Sequence, residues 1–156
     1  MEPSRAERDS RAQERLMKRL GVWQDRLELG DWKISIIMSR RSDLRPGTLG
    51  NIRWDMDDKT ARIRVLGANE YQMPFEAAYQ DMEFTLVHEL IHLELASLPR
   101  NDASRGDEEY AVNRMADALL QLDGRSGSIK LAAADTKPAN QLPHPATAVR
   151  ARDATR

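Results

Sequence analysis

The chain has 156 residues, a formal net charge of -1 and no cysteine. This length suits one domain with a buried core, and the balanced charge gives no reason to expect nucleic acid or an anionic membrane as a partner. Without cysteine there are no disulfides or thiolate metal sites, so any zinc must be held by histidine and carboxylate. No apolar run is typical of a signal peptide or a membrane span, and we therefore expect a cytoplasmic protein.

The first half of the chain predicts one helix followed by three strands. A stripe of large apolar residues at helical spacing predicts a helix over residues 5–29, whose highly charged first two turns should fray. The stripe consists of Leu16, Leu20, Trp23 and Leu27. Segments rich in alternating or β-branched residues predict strands over 32–38, 49–54 and 61–66, the last two joined by a hairpin turn.

The second half of the chain predicts two helices. Pro74 favours the start of a long central helix over residues 75–97. Asp107 is a suitable N-cap for a second helix over 108–122, and Gly124 would close it. The residues expected to be buried on this second helix are Val112, Met115, Ala116 and Leu119.

Together these elements predict an α+β domain over residues 1–124, with helices covering the apolar face of the sheet. From residue 125 onward, Ala, Pro, Thr and Arg dominate and no hydrophobic period is sustained. Residues 125–156 are therefore predicted to form a disordered tail.

The central helix carries the pattern His88-Glu89-x-x-His92, which holds two of the chain's three histidines. Side chains four residues apart lie on one helix face, so both imidazoles can bind one zinc ion. Glu89 lies about 100° around the helix from His88, where it can reach a zinc-bound water without being a ligand. The surrounding residues are mostly apolar, and burying such polar groups is costly unless a metal ion pairs with them.

Two neighbouring acids, Glu108 and Glu109, are candidates for a third ligand at the start of the second helix. Each could join its inward face, and position alone does not choose between them. Asn113 lies one turn after Glu109, where its carbonyl oxygen could accept the second N–H of a zinc-bound imidazole. Glu108 is followed one turn later by Val112, which can neither bind metal nor accept a hydrogen bond. We therefore predict Glu109 as the ligand.

These two motifs, His88-Glu89-x-x-His92 and Glu109-x-x-x-Asn113, resemble those of the gluzincin metallopeptidases. The small size and the order of elements are similar to the minimal single-domain members called minigluzincins. The resemblance implies a zincin-like fold made of an N-terminal helix, a three-stranded sheet, the motif helix and a glutamate helix. It also implies a bound zinc ion, a peptide or protein substrate, and a cleft between the outer strand and the motif helix.

The segment 108–116 further resembles the glutamate helix of ImmA/IrrE-type peptidases, some of which cleave repressors of mobile elements. SprT-like proteins have a similar layout but use a third histidine, and the only other histidine here is His144. The resemblance covers residues 5–124. It leaves one element of the gluzincin pattern without a counterpart, the downstream His or Tyr that steadies the oxyanion, because Tyr110 is turned off the face that carries Glu109.

The expected function is zinc-dependent hydrolysis of peptide bonds, with Glu89 as general base. The alternative is a latent or non-catalytic zinc-binding domain that acts in binding or regulation and is covered by its tail, where His144 could occupy the open zinc position. Several arginines in the sheet region could form a basic patch, but interspersed acids and scarce aromatics favour a solvated face. They are Arg40, Arg41, Arg45, Arg53, Arg62 and Arg64.

Overall fold

The computed structural model describes residues 1–99 and 101–124, and their fold is α+β. The helices are α1 (Arg5–Arg26), α2 (Phe75–Glu94) and α3 (Arg105–Leu122), and the strands are β1 (Lys33–Ser39), β2 (Gly50–Asp55) and β3 (Thr60–Leu66). The predicted domain boundary and tail concern residues 125–156, which lie outside the described residues. Within the described part of the chain, no helix is long and apolar enough to cross a membrane.

The three strands form one sheet in the order β1-β3-β2, with β1 parallel and β2 antiparallel to β3. Side chains alternate between its two faces, so one face can be buried while the other stays in water. Ile36, Ile63 and Ile52 lie side by side on the buried face, where α1 and α2 cover them. The three strands predicted from sequence are confirmed, and their bounds differ from the prediction by at most one residue at each end.

The N-terminal turns of α1 are held in place, and the expectation that they fray is wrong. Ser4 and Glu7 form a capping box. Arg8 donates hydrogen bonds to the carbonyl oxygens of Ala68 and Met73, at 3.3 and 2.9 Å. The charged first turns thus bind the segment between β3 and α2, a tertiary contact that local sequence does not reveal.

Helix α2 is buried around almost its whole circumference, and only its last turn departs from the predicted span. Residues 95–97 continue it as a 3-10 turn. Its one buried acid outside the site, Glu83, accepts hydrogen bonds from Arg19 Nε at 2.5 Å and Trp23 Nε1 at 3.1 Å. Arg19 also donates to Asp123, which follows α3, at 2.8 Å. These ion pairs join α1 to α2 and to the end of α3.

Helix α3 differs from its prediction in two respects. It begins at Arg105 rather than at Glu108, because Asn101 accepts a hydrogen bond from the Ser104 N–H and caps a short turn that runs into the helix. Its buried residues are Val112, Ala116 and Leu120, one helical turn apart, whereas Met115 is 40% exposed. The face that packs on α2 is therefore rotated from the predicted one.

Gly50 marks the closest approach of β2 to α2, and Gly50→Ala should destabilise the fold. A Cβ at this position would lie 2.5 Å from Thr85 Cγ2 and 2.6 Å from the Arg64 carbonyl oxygen. The Arg64 carbonyl oxygen belongs to the backbone and cannot move away without distorting β3. We therefore expect the free energy of unfolding to fall by about 1–3 kcal/mol. Gly21→Ala is the matched control, since nothing lies within 4 Å of the added Cβ in α1. Gly21→Ala should raise the free energy of unfolding by about 0.5–1 kcal/mol. Urea unfolding measures both variants. An unchanged free energy of unfolding in Gly50→Ala would contradict the close packing at this position.

Candidate metal centre

The imidazoles of His88 and His92 face each other inside the protein. They lie one turn apart on α2, with exposed fractions of 0% and 1%. Their Nε2 atoms are 3.0 Å apart, and each Nδ1 atom is directed to a different side chain of α3. The Nε2 atoms of the two buried imidazoles are thus directed toward the same position.

Glu109 of α3 completes a triangle of ligand atoms with the two imidazoles. Its Oε2 lies 3.2 Å from His88 Nε2, and its Oε1 lies 3.1 Å from His92 Nε2. Ligand atoms held by a tetrahedral zinc ion at about 2.0–2.1 Å lie roughly 3.3–3.4 Å from one another. Among the described residues, His88, His92 and Glu109 are the group whose ligand atoms could hold one metal ion. The donor set and its spacing therefore fit zinc.

The electrostatics of Glu109 follow from this arrangement. Burial acts to raise its pKa, but hydrogen bonds and charge interactions with His88 and His92 outweigh burial and lower the pKa of Glu109 to about 2. Its carboxylate is therefore ionised across the neutral range, which is the form that binds a metal ion.

Asn113 lies behind His88, where the sequence predicts it. Its Oδ1 is 2.9 Å from His88 Nδ1. An amide oxygen that accepts the Nδ1 proton fixes the tautomer in which Nε2 carries the lone pair for a metal ion. Asn113 thus orients one of the two histidines.

Glu108 orients the other histidine, a role that its place in the sequence did not predict. Its Oε1 lies 2.9 Å from His92 Nδ1, on the side of the ring that faces away from Glu109. Adjacent residues on a helix point about 100° apart, so the two acids reach opposite edges of one imidazole. The adjacency of Glu108 and Glu109 is the only sequence signal that could have revealed this.

Glu89 is the one site residue with no partner for its charge among the described residues. The residue is fully buried, and neither carboxylate oxygen has a hydrogen-bond partner there. Burial and the nearby negative charge of Glu109 raise the pKa of Glu89 well above its ordinary value. A buried carboxylate without partners is costly, so the position of Glu89 is unfavourable unless another group interacts with it.

One surface cleft of the described residues lies near the carboxyl ends of β1 and β3. It has a volume of about 490 Å³. Its lining includes Arg5, Asp9, Ser39, Arg40, Asn69 and Glu70. None of the predicted site residues lines it, so the metal cluster is not part of this cleft.

No family model, curated protein or solved structure matches the chain. The resemblance to gluzincins and to ImmA/IrrE-type peptidases therefore stays a prediction, and the site is defined by its geometry alone.

Asn113→Ala tests the orienting role of this residue. We expect the affinity for zinc to fall about 10- to 100-fold, because His88 loses the acceptor that fixes its ring. Asn113→Asp keeps an oxygen at that position and should bind zinc nearly as tightly as the original chain. Competition with a chelating dye measures both affinities, and equal loss in the two variants would contradict the role.

Proposed function

We propose that this protein is a zinc-dependent peptidase of the zincin-like kind. The observation that carries the proposal is the convergence of His88, His92 and Glu109 within about 3 Å of one another, beside the unpartnered buried carboxylate of Glu89. Two imidazoles and one carboxylate are the ligand set of catalytic zinc sites that keep one position open.

The chain's own residues would hold the ion through His88 Nε2, His92 Nε2 and a carboxylate oxygen of Glu109. When bound, zinc would act as a Lewis acid that polarises a carbonyl and lowers the pKa of water to about 7. Asn113 and Glu108 would keep the two imidazoles in the tautomer that presents Nε2.

Glu89 would move the proton. A carboxylate with a raised pKa can accept a proton from the attacking water and later give it to the departing amine. A group serves best in both transfers when its pKa is near the working pH. Its oxygens are not engaged by other described groups, which leaves them available for this transfer. Full burial also removes competing bulk water, so that the proton stays with the reacting groups.

The substrate would lie along the outer edge of β2. This strand is antiparallel to β3, and its other side has no strand beside it among the described residues. Gly50 of β2 lies against Thr85, and Thr85 precedes Glu89 by one turn on the same face of α2. An extended peptide that adds to this edge would therefore pass near Glu89. This arrangement is in keeping with the cleft that the gluzincin resemblance implies.

A second candidate is a latent or non-catalytic zinc domain, and the burial of the site favours it. His88, Glu89 and His92 are at most 1% exposed. Other residues cover these three side chains, as expected of a latent site. The tail and His144, which the latent hypothesis invokes, lie outside the described residues. Removing residues 125–156 separates the two candidates: activity that is present only after truncation favours latency, whereas activity in the full chain favours the peptidase.

The proposal is tested by the metal content and activity of the purified full-length chain. We expect about one zinc per chain by elemental analysis, restored by zinc after chelation. The zinc-loaded chain should cleave an unfolded protein such as reduced casein, and a chelator should stop this cleavage. Absence of zinc even after reconstitution would contradict the proposal as a whole. Zinc without cleavage, in the full and truncated chains alike, would contradict only its catalytic part.

A further inference from the structure

The outer face of the sheet gathers arginines that are scattered in the sequence. Arg53 on β2 lies directly across from Arg62 on β3, and Arg64 follows on the same face of β3. Arg53 and Arg62 are exposed, and Arg64 is partly exposed. Of the acids that separate Arg53 from Arg62 in sequence, Asp57 and Asp58 lie in the hairpin turn, and Asp55 ends β2 on the same face as Arg53.

Within residues 1–99 and 101–124, no carboxylate lies within ion-pair distance of Arg53, Arg62 or Arg64. The nearest acid along this face of β2 is Asp55, whose Oδ1 already accepts the N–H groups of Asp57 and Asp58. Like charges directly opposite each other destabilise a sheet. An anion placed beside Arg53 and Arg62 would relieve that repulsion.

The hydrogen-bond pattern of β2 shows how a peptide that carries such an anion would align with this strand. The Leu66 N–H donates to the Leu49 carbonyl, so by alternation the pair Arg53 and Arg62 is also hydrogen-bonded. The intervening residues Gly50 and Ile52 then direct their N–H and C=O groups toward the outer edge. A peptide added antiparallel to this edge would bond to Gly50 and Ile52. Its residue opposite Arg53 would form a non-hydrogen-bonded pair, in which side chains approach most closely.

We propose that Arg53, supported by Arg62, selects an acidic side chain in an extended peptide that pairs with the outer edge of β2. This inference rests on the substrate edge of the proposed function and adds a substrate class to it. The occupant is a peptide rather than the chain's own segment 125–156, because that segment carries six Lys or Arg and two Asp. A basic segment would be repelled by Arg53 and Arg62.

Three other roles for these arginines each predict a different outcome when peptide binding is measured. Charged side chains on an edge strand can simply prevent pairing with other chains. A row of arginines can also bind the phosphates of single-stranded nucleic acid. A second copy of the chain could pair with the same edge, although this would bring basic residues of both copies together.

The test compares two fluorescein-labelled peptides, one alternating Glu and Val and the other alternating Gln and Val. Alternation places a Glu on the Arg53 side of the edge over several registers. Binding is measured by fluorescence anisotropy with the full-length chain carrying Glu89→Gln, so that cleavage does not consume the probe. The same chain with Arg53→Gln is the test variant. Arg45→Gln, which replaces an exposed arginine in the loop before β2, is the matched control.

We expect the Glu peptide to bind roughly fivefold more tightly than the Gln peptide, which is the size of a cross-strand charge pair. Arg53→Gln should remove this preference, and Arg45→Gln should retain it. Equal binding of both peptides, no binding of either, or a preference that survives Arg53→Gln would overturn the inference. So would tighter binding of oligothymidine than of the Glu peptide, or a dimer that Arg53→Gln abolishes. An Arg53-dependent preference in a chain that holds no zinc would leave this inference standing while the proposed function fails.

Discussion

Glu89→Gln is expected to abolish peptide hydrolysis while the chain still binds zinc. The amide has nearly the shape of the carboxylate and fits the same buried position, but it cannot accept a proton from water. Removal of a general base typically costs about 10²–10⁴-fold in rate. Glu89 is not among the three ligand-atom donors, so the metal content should not change. The loss should therefore be seen in kcat at full zinc occupancy.

Glu94→Gln provides the control for this experiment. It makes the same chemical change on the same helix, at an exposed position just beyond His92. Activity should be retained in this variant. Hydrolysis that persists in Glu89→Gln would rule out the proton-transfer role, and loss of zinc in Glu89→Gln would show that Glu89 acts on the metal instead.

The fold could be predicted where local sequence and burial agree. Each strand alternates or is rich in β-branched residues, and the apolar pattern of α2 leaves no other element type over that span. The start of α3 could not be placed, because Asn101 caps a short turn that extends the helix backward. The ordered first turns of α1 depend on carbonyl oxygens of Ala68 and Met73, which lie 60 and 65 residues from Arg8 in sequence.

In the candidate site, too, the features set by local spacing could be predicted and those set by tertiary packing could not. The spacing of His88 and His92 fixes their common face because an α-helix has one period. Glu109 and Asn113 could be selected because they are one turn apart and chemically suited to adjacent roles. Glu108 was missed because its contact depends on how α3 is rotated against α2, and that rotation is set by packing of Val112, Ala116 and Leu120. Chemistry at the site and the family resemblance remain predictions.

Glu109→Ala should weaken zinc binding more than any change at its neighbour Glu108. It removes one of three ligand atoms and the negative charge nearest the two Nε2 atoms. Glu108→Ala removes only the acceptor at His92 Nδ1, a loss of the kind that costs about 10- to 100-fold in metal affinity. The expected order of affinity is therefore the original chain, then Glu108→Ala, then Glu109→Ala, measured by competition with a chelating dye.

Thermal unfolding of the metal-free variants separates ligation from general stability. Without metal, both substitutions remove contacts to a buried histidine, so their effects on the unfolding temperature should be similar. With zinc, the chain carrying Glu108→Ala should regain most of the stability that binding provides, because a ligand of the folded state stabilises the fold more as its affinity rises. The chain carrying Glu109→Ala should regain little. The reverse order would make Glu108 the ligand and Glu109 its support, and would require α3 to rotate on α2 when the metal binds.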